Sequence, residues 1–216
     1  MKPWLLYWIK KNAGGGSGSG INWSEIGYEE EPAVIKKDFD YAKYILDTWD
    51  DSVTDMSNKF YNNKNLVYMP LVDTSNVTTM YKAFQGCSRL NTIPLLDVSN
   101  VKSMNSAFSG TILISVPLLN TAKAENFGYM FNQCTELVNV PQLDTNLVTF
   151  MYGMFTGCSN LSNDSLNNIL AMCTSAISYT RTKTLKEIGL SQTQAETCMT
   201  LSNYQAFLDA GWTTGY

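Results

Sequence analysis

The chain has 216 residues, 44% of them hydrophobic and only 16% charged, with 15 basic against 19 acidic side chains for a net charge of −4. That is enough sequence for a buried core and too little positive charge for a sequence-independent grip on nucleic acid. Histidine is absent, which removes Ser/His and Cys/His nucleophile pairs and most catalytic zinc sites.

The chain opens on Trp4-Leu5-Leu6-Tyr7-Trp8-Ile9, an apolar run flanked by Lys2, Lys10 and Lys11. It is too short and too aromatic for the apolar core of a secretory signal, and glycines follow it instead of a small-residue cleavage site. Residues 14–20, Gly-Gly-Gly-Ser-Gly-Ser-Gly, form a flexible linker, so residues 1–13 read as an arm separated from everything else. Aromatic anchors of this kind are what protein interfaces bury, and Trp4, Leu5, Leu6, Tyr7, Trp8 and Ile9 are the expected partner-docking residues. Packing back onto its own chain and lying in a membrane interface are the rival fates of the arm.

Residues 21–51 read as an N-terminal cap. Within them Ile35, Phe39, Ala42, Leu46 and Trp49 recur at helical spacing and predict one buried helix face.

From residue 52 to 161 the chain repeats. Val53, Val77, Val101, Ala124 and Val148 advance in steps of 24, 24, 23 and 24. The same steps carry the columns Met56, Met80, Met104, Phe127, Met151 and Phe60, Phe84, Phe108, Phe131, Phe155. Proline recurs at 70, 94, 117 and 141, and an acid or amide stands at Asp73, Asp97, Asn120 and Asp144. A fixed period in the twenties means stacked coils. In each coil, Val77, Met80 and Phe84 at i, i+3 and i+7 predict a helix of about two turns, opened by Ser75 and Asn76 and closed by a left-handed residue at Gly86, Gly110 or Gly157. Leu90, Ile93 and Leu95, echoed by Leu66, Met69 and Leu71, predict a short strand that stops near the proline. Gln142 leaves open whether the core side follows the proline by one residue or two.

After Leu161 the period fades. Asn163-Asp164 opens a helix through Leu166, Ile169 and Leu170, Ser191 with Gln194 and Ser202 with Gln205 fit capping boxes, and Gly211 ends the last helix. Residues 162–216 are therefore a helical C-terminal cap over the apolar end of the stack. The fold class expected overall is α/β: a leucine-rich-repeat-type solenoid of about five 23–24-residue coils with helical caps at both ends.

Other chemistry is weaker. The five cysteines, Cys87, Cys134, Cys158, Cys173 and Cys198, show no Cys-x-x-Cys pairing and read as reduced buried thiols, with a Cys134–Cys158 bridge as the alternative. The acid column could hold calcium between coils, but turn hydrogen bonding accounts for it equally well. Glu29-Glu30-Glu31 and Asp50-Asp51 could serve a glycosidase, yet consecutive positions point apart, and they read as solvated. No catalytic residue, cofactor or metal is expected.

The blocks Asp73-Thr-Ser-Asn-Val-Thr-Thr-Met80 and Ala83-Phe-Gln-Gly-Cys-Ser-Arg-Leu90 resemble the BspA-like leucine-rich repeats, over residues 52–161. The resemblance implies a display or binding role, since the family occurs in bacterial surface adhesins and in virion proteins of gut phages. Such surface adhesins usually carry an export signal, and its absence here favours the phage setting. The expectation is a non-enzymatic virion component of head or tail fibre or decoration type, assembled in the host cytoplasm. It would attach to a virion structural protein through residues 1–11 and present its repeats to a host-surface protein or glycan. A bacterial cell-surface adhesin is the alternative, and a carbohydrate-active enzyme a more distant one.

Overall fold

A computed structural model describes residues 33–177 and 183–216. Four helices stand among them: α1 at Ala33–Thr48, α2 at Asn163–Ser175, α3 at Gln192–Cys198 and α4 at Tyr204–Asp209. None lies within residues 52–161. The same stretch holds no strand, only isolated parallel bridges such as Asp55↔Thr79 and Thr79↔Ser103. The expected α/β leucine-rich-repeat-type solenoid, with a helix and a strand in every coil, therefore does not form.

Consecutive turns take the place of the helices. In an α-helix each N–H bonds the carbonyl four residues back. Here Ala83, Gln85 and Cys87 donate three residues back, to Met80, Lys82 and Phe84. The intervening N–H groups leave the coil altogether. Met80 donates to Ser103 (2.8 Å), Lys82 to Asn105 (2.9 Å), Phe84 to Ala107 (2.8 Å) and Gly86 to Ser109 (2.7 Å). Phe60, Phe108 and Phe131 repeat the Phe84 bond, to Ala83, Met130 and Met154. Two left-handed residues per coil make this geometry. One column was expected at the glycines and runs Asn62, Gly86, Gly110, Gln133 and Gly157; the other, four residues earlier, is Asn58, Lys82, Ser106, Tyr129 and Gly153, with φ between 54° and 63°. A left-handed residue in mid-segment is incompatible with a right-handed helix and costs roughly 1–2 kcal/mol where a Cβ is present. The cross-coil bonds offset that cost because they are made in every coil.

The apolar columns meet inside the stack. Phe60, Phe84, Phe108, Phe131 and Phe155 form a continuous row of rings with centroids 5.3, 5.4, 5.8 and 5.8 Å apart. The methionine column and Val77, Val101, Ala124 and Val148 are buried beside them. After each proline the core residue is the second one, Leu96, Leu119 and Leu143, with Val72 packed against the same core. The first one is solvent-facing: Leu71, Leu95 and Leu118 are 68%, 63% and 67% exposed, so the predicted strand register fails at Leu95 and Leu71.

Buried polar groups follow the same cross-coil logic. Thr74 and Thr121 donate their hydroxyls to the carbonyls of Asp97 and Asp144, both at 2.8 Å, and Thr145 does the same to Met172 at 2.7 Å. The Asn76 amide donates to the Asp51 carbonyl of the preceding coil (3.0 Å), so its recurrence serves stacking and not a helix cap.

At the N-terminal side, α1 buries Asp38, Ala42 and Ile45, and Trp49 packs against the core. Of the predicted face Ala42 and Trp49 are on it, Leu46 is exposed instead, and the Ile35 and Phe39 side chains lie outside the described residues. Asp38 accepts from Arg89 at 3.1 Å, and burial lifts its carboxyl above the ordinary range even beside that guanidinium. Trp49 ties the end of α1 to the repeats by donating from Nε1 to the Asp73 carbonyl (2.8 Å). At the other side α2 starts as expected, with the Ser162 hydroxyl accepting from the Ser165 N–H and Leu166, Ile169 and Leu170 buried. The Ser191/Gln194 capping box is present on α3. The Ser202/Gln205 box is not: Ser202 and Gln205 bond Asn167 and Asp209 instead. Residues 187 and 188 continue the ladder, their carbonyls accepting from Gly153 and Phe155.

Candidate functional site

The acid or amide column turns back on its own backbone. Asp73, Asp97 and Asp144 each accept the N–H two residues on through Oδ1, at 2.9 Å, and Asn120 accepts from Ala122 at 3.4 Å. The Ser99 hydroxyl, then its N–H, holds the Asp97 carboxyl below the ordinary range; for Asp73 the Ser75 N–H leads and the hydroxyl follows. Asp50 is engaged likewise by Ser52. Among the described residues no group of three or more acidic or cysteine side chains is arranged to hold a metal ion.

The five cysteines are free and buried. The Cys87, Cys134 and Cys158 thiols donate to the carbonyls of Phe60, Phe108 and Phe131 at 2.9, 3.1 and 3.0 Å, so each serves as a cross-coil link in the core. Burial pushes the Cys87 and Cys134 thiols up to about 11 and Cys198 to about 12, and raises Cys158 and Cys173 as well. The thiolate is the reactive form, and burial disfavours it at all five positions.

What remains is the outer face of the turns, and there one cluster stands out. The column just before the methionines reads Asp55, Thr79, Ser103, Asn126 and Phe150; two residues later stand Ser57, Tyr81, Asn105, Gly128 and Tyr152. Ladder bonds from Phe127 N–H to Phe150 O (2.8 Å) and from Tyr129 N–H to Tyr152 O (2.9 Å) set the last two coils side by side. Phe150 and Tyr152, two residues apart, then share the outer face with rings 6.4 Å apart and 24° from parallel. Tyr129 stands across Tyr152 at 5.6 Å and 69°. All three rings stay 36–43% exposed.

Two glycines make room for these rings. A Cβ at Gly128 would lie 2.3 Å from Phe150 Cε1 and 2.7 Å from Asn105 Nδ2, and one at Gly153 would lie 2.6 Å from Tyr129 Cε1. The rings therefore rest against bare backbone. The Asn126 amide is oriented beside them, because its Oδ1 accepts both the Gly128 N–H (2.9 Å) and Asn105 Nδ2 (3.3 Å).

Sequence reasoning placed the functional residues elsewhere. Trp4, Leu5, Leu6, Tyr7, Trp8 and Ile9, like Glu29-Glu30-Glu31, lie outside the described residues. Tyr129, Phe150 and Tyr152 were missed. Their signal was an aromatic in columns that are otherwise mostly polar, paired with a glycine in the adjacent coil. Among the described residues no helix is long and apolar enough to cross a membrane.

Residues 34–135 match the model of the family DUF285, described as a Mycoplasma protein of unknown function. The matched span is a little under half of the chain; it takes in most of α1 and the coils through Cys134. No curated protein and no solved structure matches the chain.

Proposed function

We propose that the chain is a non-enzymatic adhesion module of the BspA-like repeat type, carried on a phage virion through residues 1–11, with its repeats turned toward the host surface. The observation that carries this reading is the stacking itself. Equivalent positions of successive coils fall in rows, and the exposed rows include amides, hydroxyls and aromatic rings beside the leucine row of Leu71, Leu95 and Leu118. Such a surface offers many weak, in-register contacts along one line, the arrangement with which repeat proteins hold extended partners. The Gly/Ser linker lets the arm find its own partner independently of the repeats, and Trp4 and Trp8 would supply anchors of about 2 kcal/mol or more each. The match to a Mycoplasma family favours a second setting, the bacterial cell surface, with the same adhesive role.

Removal of residues 1–20 tests the attachment. The truncated protein is expected to keep its melting temperature, to bind host cells as the full chain does, and to be missing from purified virions. Normal incorporation would contradict the docking role of the arm, and a lowered melting temperature would show that the arm packs on its own chain. Turnover of a capsule polysaccharide by the purified full chain would overturn the non-enzymatic reading.

A further inference from the structure

The geometry points to a saccharide-binding platform formed by Phe150, Tyr152 and Tyr129 with the amides of Asn105 and Asn126, taking a neutral hexose or N-acetylhexosamine of a surface glycan. The inference deepens the adhesion reading and rests on it.

A pyranose ring presents a flat face of C–H groups and an edge of hydroxyls. A site for it needs exposed aromatic faces together with polar groups fixed at their margin. Both are present here. Phe150 and Tyr152 are near parallel at 24°, and Tyr129 closes one side at 69°. Gly128 and Gly153 let Phe150 and Tyr129 lie against the backbone where a Cβ would collide with their rings.

The polar margin is fixed. Asn126 Oδ1 already takes the Gly128 N–H and the Asn105 amide, so the two N–H donors of the Asn126 amide are the part of that group left for a ligand oxygen. Asn105 Oδ1 takes the Ser106 hydroxyl at 3.0 Å, which orients that amide in turn. The pieces come from three successive coils, so the platform exists only because the stack holds them in register.

Other ligand chemistries fit less well. An apolar helix laid over the rings would bury the N–H donors of the Asn126 amide without a partner, which costs about 1–3 kcal/mol for an unsatisfied polar group. A nucleotide would stack on the rings but needs cations for its phosphate. The nearest in sequence are Lys102, which faces Glu125 at 3.9 Å, and Lys123, which donates to Asn100 Oδ1 at 2.7 Å.

The test uses the full chain on a printed array of neutral oligosaccharides built from hexoses and N-acetylhexosamines, with titration calorimetry on the saccharides retained and labelled protein on host cells. Three variants are compared. Tyr152→Ala removes a ring, Asn126→Asp keeps the oxygen for Gly128 while exchanging the donors for a negative charge, and Leu118→Ser changes an exposed side chain outside the platform. The expected result is saccharide binding that weakens at least tenfold in Tyr152→Ala and Asn126→Asp, is unchanged in Leu118→Ser, and is lost without any fall in melting temperature. Saccharide binding equally strong in all variants would overturn the platform and leave the adhesion reading standing. So would cell binding with no array binding, which would place the ligand among proteins. Concentration-dependent self-association abolished by Tyr152→Ala would assign the rings to a contact between copies of this chain, and overturn the platform too. Absence of binding to both array and cells would overturn the platform and the adhesion reading together.

Discussion

Phe84→Ala is expected to lower the unfolding free energy by about 3–5 kcal/mol, the range for removing a buried phenylalanine ring. Phe84 is fully buried and stands in the middle of the ring row, 5.3 Å from Phe60 and 5.4 Å from Phe108, with interplanar angles of 9° and 4°. Its loss opens a cavity between two coils that their shared backbone bonds keep from closing. It also forfeits two ring contacts worth about 0.5–1.5 kcal/mol each, part of which the range already contains. Against a total stability of roughly 5–15 kcal/mol, this is a large fraction. Tyr81→Ala, three residues away on the outer face, should change stability by no more than about 0.5 kcal/mol. Denaturant titration of both variants is the measurement. An unchanged midpoint for Phe84→Ala would show that the ring row is not the core.

The second large effect concerns register. Removing residues 77–100 joins Asn76 to Val101, which is the residue Val77 would have been one coil later. On the turn side each ladder partner is then replaced by its equivalent: Met56, which donates to Thr79 O, meets Ser103 O, the acceptor that Met80 used. The shortened chain should fold cooperatively, with a reduced but distinct unfolding transition. Removing only residues 77–88 takes away the left-handed pair Lys82 and Gly86 and the Phe84 ring, and leaves the N–H groups of residues 56–62 facing the wrong segment. That variant is expected to be largely unfolded. Circular dichroism and thermal melts of the two deletions separate the cases; equal loss of structure in both would contradict the coil as the unit of packing.

The core was legible in the sequence because hydrophobic burial repeats with the chain. The Phe60 to Phe155 and Met56 to Met151 columns were readable from spacing alone, and both are buried. The local conformation was not legible. Val77, Met80, Phe84 and Cys87 all point inward, and a ribbon of turns with left-handed residues four apart places side chains inward at nearly the spacing of a helix. Periodicity cannot separate the two. The separating signal lay in the Asn58, Lys82, Ser106, Tyr129 and Gly153 column, where φ is positive at four residues that carry a Cβ. Asn there tolerates the left-handed region, but Lys and Tyr give no such hint. The strand failed for a related reason. With a proline in each coil the ladder on that side shrinks to single bridges such as Tyr68↔Thr92 and Ser115↔Asn139, too little to fix alternation, and Leu96 rather than Leu95 turns inward.

The candidate site was hidden for the opposite reason. Repeats draw attention to what recurs, whereas Phe150 and Tyr152 stand where most other coils carry polar side chains. Their meaning depends on Gly128 in the coil beside them, a relation visible only once the stacking register is known.

The most direct test of the turn-built stack is the measurement of through-hydrogen-bond couplings by nuclear magnetic resonance on the isotope-labelled full chain. The account predicts a coupling from the Phe84 amide nitrogen to the Ala107 carbonyl carbon, across the 2.8 Å bond, and likewise from Lys82 to Asn105 and from Gly86 to Ser109. Couplings from Phe84 to Met80 and from Gly86 to Lys82, the pattern of a helix, would contradict it.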